Sequence, residues 1–332
     1  MGDRLTLSLR AYTYVAYAAL TTLVLIVLSG AGVRLTGSGL GCPSWPDCRG
    51  TFLPELSSHV WIEYGNRLFS SVVGIACVAA GVLAFRVRPR RSDLLRPASA
   101  LAAGVVAQGL LGGLTVALDL SWPVVIAHYL LSMTLLLAAT ILVWRVRGEP
   151  SAGGDRHVAL AVRALVVFGG VVIVAGTFAT AAGPHAGGAG TGDVVRRLDA
   201  FGAGTLKTLI HLHGHMAAAL GVASIALWVF ARLRGAGDRL MRPLTAVCLV
   251  LGAQGVVGLI QYYNALPAEV VWVHASLPAL LWVLLVWNWH AAGPLAVAVT
   301  PPASGRALRS TRARPPRSHA PGRPERPSGT AS

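Results

Sequence analysis

The sequence predicts an all-α integral membrane protein with eight transmembrane helices, arranged as two parallel-repeat four-helix bundles. Of its 332 residues, 54% are hydrophobic and only 12% are charged, whereas a soluble domain carries about 25% charged residues. Eight apolar runs each reach the ~20 residues that a helix needs to cross a ~30 Å hydrocarbon core. The chain also repeats itself at an offset of 146 residues.

The predicted spans follow one another along most of the chain. They lie at approximately 11–33, 60–85, 97–118, 123–145, 158–180, 205–231, 243–263 and 269–290. The first run has full span length and no small-residue cleavage site after it. We therefore expect it to remain as a helix rather than to act as a cleaved signal peptide.

The distribution of arginine predicts the orientation of these spans. Arginines are dense at 86–91, 145–156 and 232–242, after the second, fourth and sixth spans. Because short cytoplasmic loops collect Arg and Lys, we expect these loops and both termini in the cytoplasm, with the spans in the bilayer of the cell membrane. Residues 34–58 and 181–204 then form the outer loops. The net charge of +15 follows this pattern, and we expect no nucleic-acid partner.

An internal repeat divides the chain into two halves. The segment 107–112 (AQGLLG) recurs as 253–258 (AQGVVG). An even number of spans in each half gives the halves the same orientation in the membrane. We predict an N-terminal half at 1–148, a C-terminal half at 149–292, and a disordered basic, Pro-rich cytoplasmic tail at 293–332.

Two histidines occupy equivalent places in the two halves. His128 follows Gln108 by 20 residues, and His274 follows Gln254 by 20 residues. An ionisable side chain inside a span is a functional-site hypothesis by default. We expect the two glutamines to make interhelical hydrogen bonds.

The segment 211–215 (HLHGH) opens the sixth span. On a helix its first and last histidines share a face, but no third ligand or Glu base of a zinc site accompanies them. The repeat selects the middle residue, His213. An offset of 147, taken from Gly74 and Gly221, places His213 opposite Asn66.

A pair of histidines at matched depth indicates a haem site. His213 and His274 both lie near the outer ends of their spans, and two imidazoles on two helices of a four-helix bundle can bind a haem iron from both sides. In the first half the same positions hold Asn66 and His128. The second-half site therefore has both ligands, and the first-half site lacks one.

Two polar groups of the first half complete the candidate site. Glu63 and Arg67 are four residues apart at the start of the second span, either as a pair that anchors the helix end or as active-site groups.

Cys42 and Cys48 share an outer loop, which we call the Cys loop (residues 36–48). They form either a structural disulfide or a pair for thiol–disulfide exchange.

The run Thr-Gly-Ser-Gly-Leu-x-Cys-Pro-x-Trp-Pro-x-Cys at 36–48, the Glu-Tyr-x-x-Arg motif at 63–67 and the equivalent histidines resemble the haem A synthases over roughly residues 11–290. This resemblance implies oxidation of the C8 methyl of haem O to a formyl group, giving haem A for cytochrome oxidase. It implies haem O synthase (protohaem farnesyltransferase) and cytochrome oxidase assembly as partners, and it leaves a homo-oligomer open.

The resemblance also implies roles for the candidate residues. His213 and His274 would ligate a haem b cofactor, while His128 would face the substrate haem O. The family commonly has a histidine where this chain has Asn66. We expect the substrate haem to be held by His128 alone, or with a weak or water-mediated contact from Asn66. His59 is seven residues earlier and too far along the helix to replace that histidine.

The remaining roles implied by the resemblance concern acid–base chemistry and the loop. Glu63 would act as the acid–base group, with Arg67 binding either a propionate or Glu63 itself. Cys42 and Cys48 would form the disulfide of the cysteine-bearing class. His211 and His215 would contact propionates or loops, or pack.

Two other functions are compatible with parts of the sequence. A di-haem cytochrome b-type carrier that reacts with quinol would also have paired histidines, but it predicts two complete pairs and gives no reason for the Cys loop. A transporter built on parallel repeats would place polar groups at the membrane midplane. Here they gather near the outer face instead.

Overall fold

The computed structural model describes residues 6–48, 50–51, 57–149 and 155–295. The described residues form eight long α-helices: α1 Leu9–Leu35, α2 Ser58–Ala84, α3 Ser92–Ala117, α4 Trp122–Arg147, α5 Arg156–Ala182, α6 Thr205–Leu233, α7 Asp238–Tyr263 and α8 Ala268–Ala291. All eight are long and apolar enough to cross a membrane. The predicted eight-span, helical membrane architecture is confirmed. The predicted tail lies outside the described residues from position 296 onwards.

The helices pack in two rings of four. Each of α1–α4 packs against the next, and α4 returns to α1; α5–α8 do the same, while α8 also contacts α1 and α4. Two indole N–H groups of α8 support this contact, since Trp272 donates to the Leu28 carbonyl at 3.0 Å and Trp282 donates to the Met133 carbonyl at 2.9 Å. The division of the chain into domains at 148/149 stays a prediction.

The repeat in the sequence is also a repeat in the backbone. Among the described residues, four non-glycine residues have positive φ: Asp119 (49°), Leu120 (56°), Ala265 (58°) and Leu266 (61°). Such backbone is uncommon outside glycine, and the second pair is the first pair shifted by 146 positions. Each turn is closed by a 2.8 Å hydrogen bond, from Leu120 to the Thr115 carbonyl and from Leu266 to the Gln261 carbonyl. The connections α3–α4 and α7–α8 therefore have the same geometry.

The helix ends away from the Cys loop are tied together by short contacts. A parallel pair of two-residue strands joins β1 (Leu7–Ser8) to β2 (Val87–Arg88). The buried phenol of Tyr12 donates a 2.7 Å hydrogen bond to the Ala80 carbonyl. These contacts fix α1 against α2 and are a small departure from the purely helical prediction.

Two helices begin five residues before their predicted starts, whereas the others begin within two residues of theirs. Helix α3 begins at Ser92 rather than at position 97, and α7 begins at Asp238 rather than at 243. Pro97 has no N–H to bond the carbonyl of Asp93 four residues earlier, which normally ends or weakens a helix. The guanidinium of Arg145 donates to that carbonyl instead. A residue distant in sequence thus allows α3 to continue upstream of its proline.

Glycine allows α2 and α3 to approach closely. A Cβ placed on Gly81 would lie 2.6 Å from the Ala102 Cβ and 3.1 Å from the Ala98 carbonyl oxygen. Both neighbours are short or part of the backbone, so neither can move aside. This is the close packing that small residues provide between transmembrane helices.

We predict that Gly81→Ala destabilises the protein by about 1–3 kcal/mol, because the new methyl overpacks the α2–α3 contact. Gly74→Ala is the matched control, since it lies on the same helix and a Cβ there meets no atom within 4 Å. The measurement is the midpoint of thermal unfolding in detergent. Equal midpoints for the two variants would contradict the predicted contact.

Candidate functional site

The structure brings together the two histidines predicted as a ligand pair. His213 on α6 and His274 on α8 face each other with their ring centroids 6.2 Å apart and their planes at 88°. Two metal–nitrogen bonds of about 2 Å each, together with the distances from each nitrogen to its ring centre, span roughly this separation. The arrangement matches a metal ion held between two imidazoles.

Glycines on the neighbouring helices make room for these rings. A Cβ on Gly176 would lie 2.9 Å from Cε1 of His213, and a Cβ on Gly258 would lie 3.2 Å from Cε1 of His274. Larger residues at either position would displace the imidazole. The pair is therefore positioned by α5 and α7 as well as by its own helices.

A glutamine fixes each histidine-bearing helix. Pro278 has no N–H for the His274 carbonyl four residues earlier, and the side chain of Gln254 donates to that carbonyl at 2.8 Å. In the first half Gln108 donates to the His128 carbonyl at 2.9 Å. The predicted interhelical hydrogen bonds are confirmed. They set the rotation of the helix at the residue that carries the imidazole.

The donor set fits a haem iron. The Nδ1 atoms of His128, His213 and His274 are buried, and among the described residues none has a hydrogen-bond partner. Buried polar atoms in proteins are nearly always hydrogen-bonded. Facing imidazoles that the protein does not itself satisfy, on diagonal helices of one ring, are suited to an axially bound haem.

The first half has the same arrangement of helices around its histidine, but a different residue lies opposite that histidine. A Cβ on Gly112 would lie 3.3 Å from Cε1 of His128, as at the second-half histidines. Across the ring, Asn66 occupies the place of His213, and its Oδ1 accepts a 2.8 Å hydrogen bond from the hydroxyl of Ser29. Gly30 is the counterpart of Gly176 at the repeat offset of 146, and a Cβ on Gly30 would meet no atom within 4 Å. The Asn66 side is thus open where the second half holds an imidazole.

The other histidines at this end belong to the surrounding cap. His59 bonds the Ser38 hydroxyl through Nδ1 at 2.8 Å, so it serves the Cys loop and does not replace the absent ligand. His211 bonds the Tyr262 hydroxyl at 3.1 Å, a contact that sequence reasoning missed, and its ring lies 6.4 Å from that of His215. In the described ranges, no group of three or more His, Cys, Asp or Glu side chains gathers at a metal-binding distance.

Arg67 connects α2 to the Cys loop. Its guanidinium donates to a carboxylate oxygen of Glu63 at 2.6 Å and to the Cys42 carbonyl at 2.6 Å. It also donates to the carbonyls of Ser44 at 2.6 Å and Asp47 at 2.8 Å. A further contact from Nε to Glu63 at 3.2 Å brings the total to five. These use the five N–H donors of arginine, so a propionate would have to displace one of them.

Glu63 is held from two sides. Its Oε1 accepts from Arg67, and its Oε2 accepts from the backbone N–H of Cys42 at 2.7 Å. The residue is only 5% exposed. Of the two contacts that the sequence left open for Arg67, the structure contains the pair with Glu63. The sequence did not predict the hydrogen bonds from Arg67 to the loop carbonyls, because every residue has a backbone carbonyl and the sequence does not show which of them is bonded.

The Cys loop is closed by the Cys42–Cys48 disulfide. Both cysteines are fully buried. Thiol–disulfide exchange requires access of an attacking thiolate to a sulfur, so this burial favours the structural role over exchange.

The family of the chain follows from comparison with known proteins. The family model COX15-CtaA, described as cytochrome oxidase assembly protein, matches residues 13–286. The chain belongs to this family. The match runs from α1 to α8 and so includes both histidine sites and the Cys loop.

Several haem A synthases are similar to parts of this cytochrome oxidase assembly family member. The protein of Symbiobacterium thermophilum is 39% identical over 109 residues, which are 32% of this chain and 36% of the relative. That of Lysinibacillus sphaericus is 42% identical over 79 residues, 23% and 26% of the two chains. That of Bacillus pumilus is 31% identical over 151 residues, 42% and 48%. The matched segments thus span less than half of each of these relatives.

In this family member the Cys loop is joined to the loop between α5 and α6. The N–H of Gly39 donates to the Gly187 carbonyl at 2.8 Å, and the N–H of Gly190 donates to the Gly37 carbonyl at 3.1 Å. Arg34 at the end of α1 donates to the His185 carbonyl at 2.8 Å. These bonds hold the Cys loop against the second loop.

We predict that Arg67→Met destabilises this family member by about 3–5 kcal/mol, because it leaves the buried Glu63 carboxylate without its counter-charge. The readout is thermal unfolding in detergent. The matched control is Arg242→Met: Arg242 forms the same i,i+4 pair with Asp238, but their side chains are 81% and 72% exposed. That control should leave the midpoint unchanged. A similar loss in both variants would show that burial of the Glu63 pair is not what matters.

Proposed function

We propose that this protein is a haem A synthase, which oxidises the C8 methyl of haem O to a formyl group. One observation carries the proposal: two halves with the same Gln–Gly–His frame hold different ligand sets. A complete imidazole pair suits a resident cofactor. A site with His128 opposite Asn66 suits a haem that must arrive, react and leave. The family match and the haem A synthase relatives support the same activity.

His213 and His274 would hold haem b as the resident cofactor. When bound, that haem would supply one-electron chemistry. The protein contributes the position of both imidazoles through Gly176 and Gly258, and the Gln254 bond holds the His274 segment of α8.

His128 would bind the iron of the substrate haem O from one side. Asn66 would leave the other side without a protein ligand, because its carbonyl oxygen already accepts from Ser29. A weakly held substrate can exchange, which a resident cofactor need not do. Asn66 would then contact the substrate weakly or through a water.

Glu63 would act as the acid–base group for the methyl oxidation. It lies one helical turn from Asn66, so it would lie beside the substrate haem, and general acid–base catalysis requires such a group within hydrogen-bond reach. Arg67 is a positioning residue in this scheme. It holds the carboxylate in place through the contact with Oε1, while the Cys loop limits access of bulk water.

The proposed setting is the cell membrane, with both termini in the cytoplasm and the Cys loop on the outer side. The arginine-rich connections support this orientation. Haem O synthase as the source of substrate, and cytochrome oxidase assembly as the destination of the product, are the proposed partners. Haem O is made by adding a farnesyl group, so the source is an enzyme of isoprenoid transfer.

The proposal is tested by purifying the protein from cells that make haem O and separating the extracted haems by chromatography. We expect haem B together with haem O or haem A. His213→Ala and His274→Ala should each remove the six-coordinate low-spin haem B signal, because one axial imidazole is lost. His290→Ala is the control, since His290 lies at the opposite end of α8.

Other outcomes of that extraction count against the proposal. Haem B alone, in the wild-type protein supplied with haem O, would favour the di-haem electron carrier. Absence of any haem would refute both functions.

We further predict that Asn66→His converts the haem-O-loaded first half to a six-coordinate low-spin form, because a second imidazole becomes available. The measurement is the absorption spectrum of protein loaded with haem O. His128→Ala should abolish the first-half haem signal. An unchanged first-half haem spectrum in His128→Ala would show that His128 is not the ligand.

A further inference from the structure

A cavity lies between the Cys loop and the exposed face of α3. Its volume is about 330 Å³, and its walls include Pro43 and Trp45 from the loop and Leu110, Gly113 and Leu114 from the helix. Pockets for small molecules range over about 300–1,000 Å³ and are mostly apolar. The cavity is therefore large enough for an apolar group of a ligand.

The cavity depends on a glycine under an indole. A Cβ on Gly113 would lie 2.8 Å from Cδ2 and 3.0 Å from Cε3 of Trp45. The indole can cover α3 at this point only because the helix has no side chain there. The neighbouring Ser44 carbonyl is bound by Arg67, so the loop that carries Trp45 is fixed to α2.

In the described residues of the second half, the position equivalent to this cavity wall is built differently. The repeat offset of 146 aligns Gly113 with Leu259, which is 59% exposed. The outer loop of that half, residues 183–204, contains no tryptophan. The indole and its glycine thus belong to the half that holds the proposed substrate site.

The helix that lines the cavity also contacts the ligand of that site. Gly112 faces the His128 ring, with 3.3 Å from an added Cβ to Cε1, and the next residue, Gly113, faces Trp45. Successive positions of one helix therefore contact the imidazole and line the cavity. A haem bound to His128 would have one edge beside it.

We propose that this cavity binds the isoprenoid chain of haem O. The inference rests on the proposed function and names the part of the substrate that this site recognises. Haem O differs from haem B by a hydroxyethylfarnesyl chain in place of a vinyl group. A cavity on the helix that contacts His128 fits a substrate with that chain. The second half has Leu259 and no loop tryptophan at the corresponding place, which fits a cofactor without the chain. Gly113 and Trp45 are then residues that distinguish substrate from cofactor.

The test compares two haems on one protein. Protein whose second half is filled with haem b is titrated with haem O and with haem B, for the wild type and for Gly113→Leu, which introduces the residue of the second half. We expect Gly113→Leu to weaken haem O binding at least tenfold, which corresponds to about 1.4 kcal/mol, and to change haem B binding less than twofold. Leu259→Ala is the control and should change neither.

Each other result overturns the inference. Equal weakening of both haems, or no weakening, means that the cavity does not hold the chain, whether a lipid acyl chain or nothing occupies it. If Gly113→Leu fails to retain haem b in the second half, Leu110→Trp and Leu114→Phe fill the cavity from other positions of α3 and are judged by the same ratio. Wild-type protein that binds no haem O overturns the proposed function as well. Wild-type protein that binds it without this discrimination overturns only the role of the cavity.

Discussion

The ion pair between the partly buried guanidinium of Arg67 and the buried carboxylate of Glu63 is the interaction on which the first half depends. A charge removed from water is costly unless it is paired and fully hydrogen-bonded, and Arg67 meets that demand with Glu63 and three loop carbonyls. The loop backbone must therefore converge on α2. This single side chain orients Glu63, supports the disulfide-closed loop and keeps Trp45 over α3. The Arg67 guanidinium needs the loop carbonyls as acceptors, and the loop needs the guanidinium to hold it against α2.

The two halves use one helical frame for two purposes. Gln108 and Gln254 bind the carbonyls of the histidines 20 residues later at nearly equal distances, 2.9 and 2.8 Å. The frame fixes the depth and rotation of an imidazole in each ring. What then differs is the opposite helix, where one half has His213 and the other has Asn66 bonded to Ser29. Under the proposed function, a duplicated scaffold binds one haem firmly and another loosely without any change of fold.

Polar groups inside these spans are concentrated towards the Cys-loop end. The Glu63–Arg67 pair lies within the first three turns of α2, and His213 and His274 lie within the first three turns of α6 and α8. This placement limits the cost of burial, because the charged pair is satisfied by loop backbone that a helix interior cannot offer. It also distinguishes the protein from a transporter with a site at the midplane. The Cys loop and the α5–α6 loop, which are joined to each other, then cover the polar end of the bundle.

The sequence alone determined the eight spans, the repeat and the ligand asymmetry, because span length and repeat register are properties of the chain read in order. Even Asn66 could be matched to His213 by counting. Only the tertiary structure decided which residues distant in sequence come into contact. Arg145 satisfies the carbonyl freed by Pro97 and so moves the start of α3, and Trp45 covers Gly113. The sequence does not show which donor a backbone carbonyl will accept from, or which side chain will pack over a glycine. These partners are known only once distant segments are brought together.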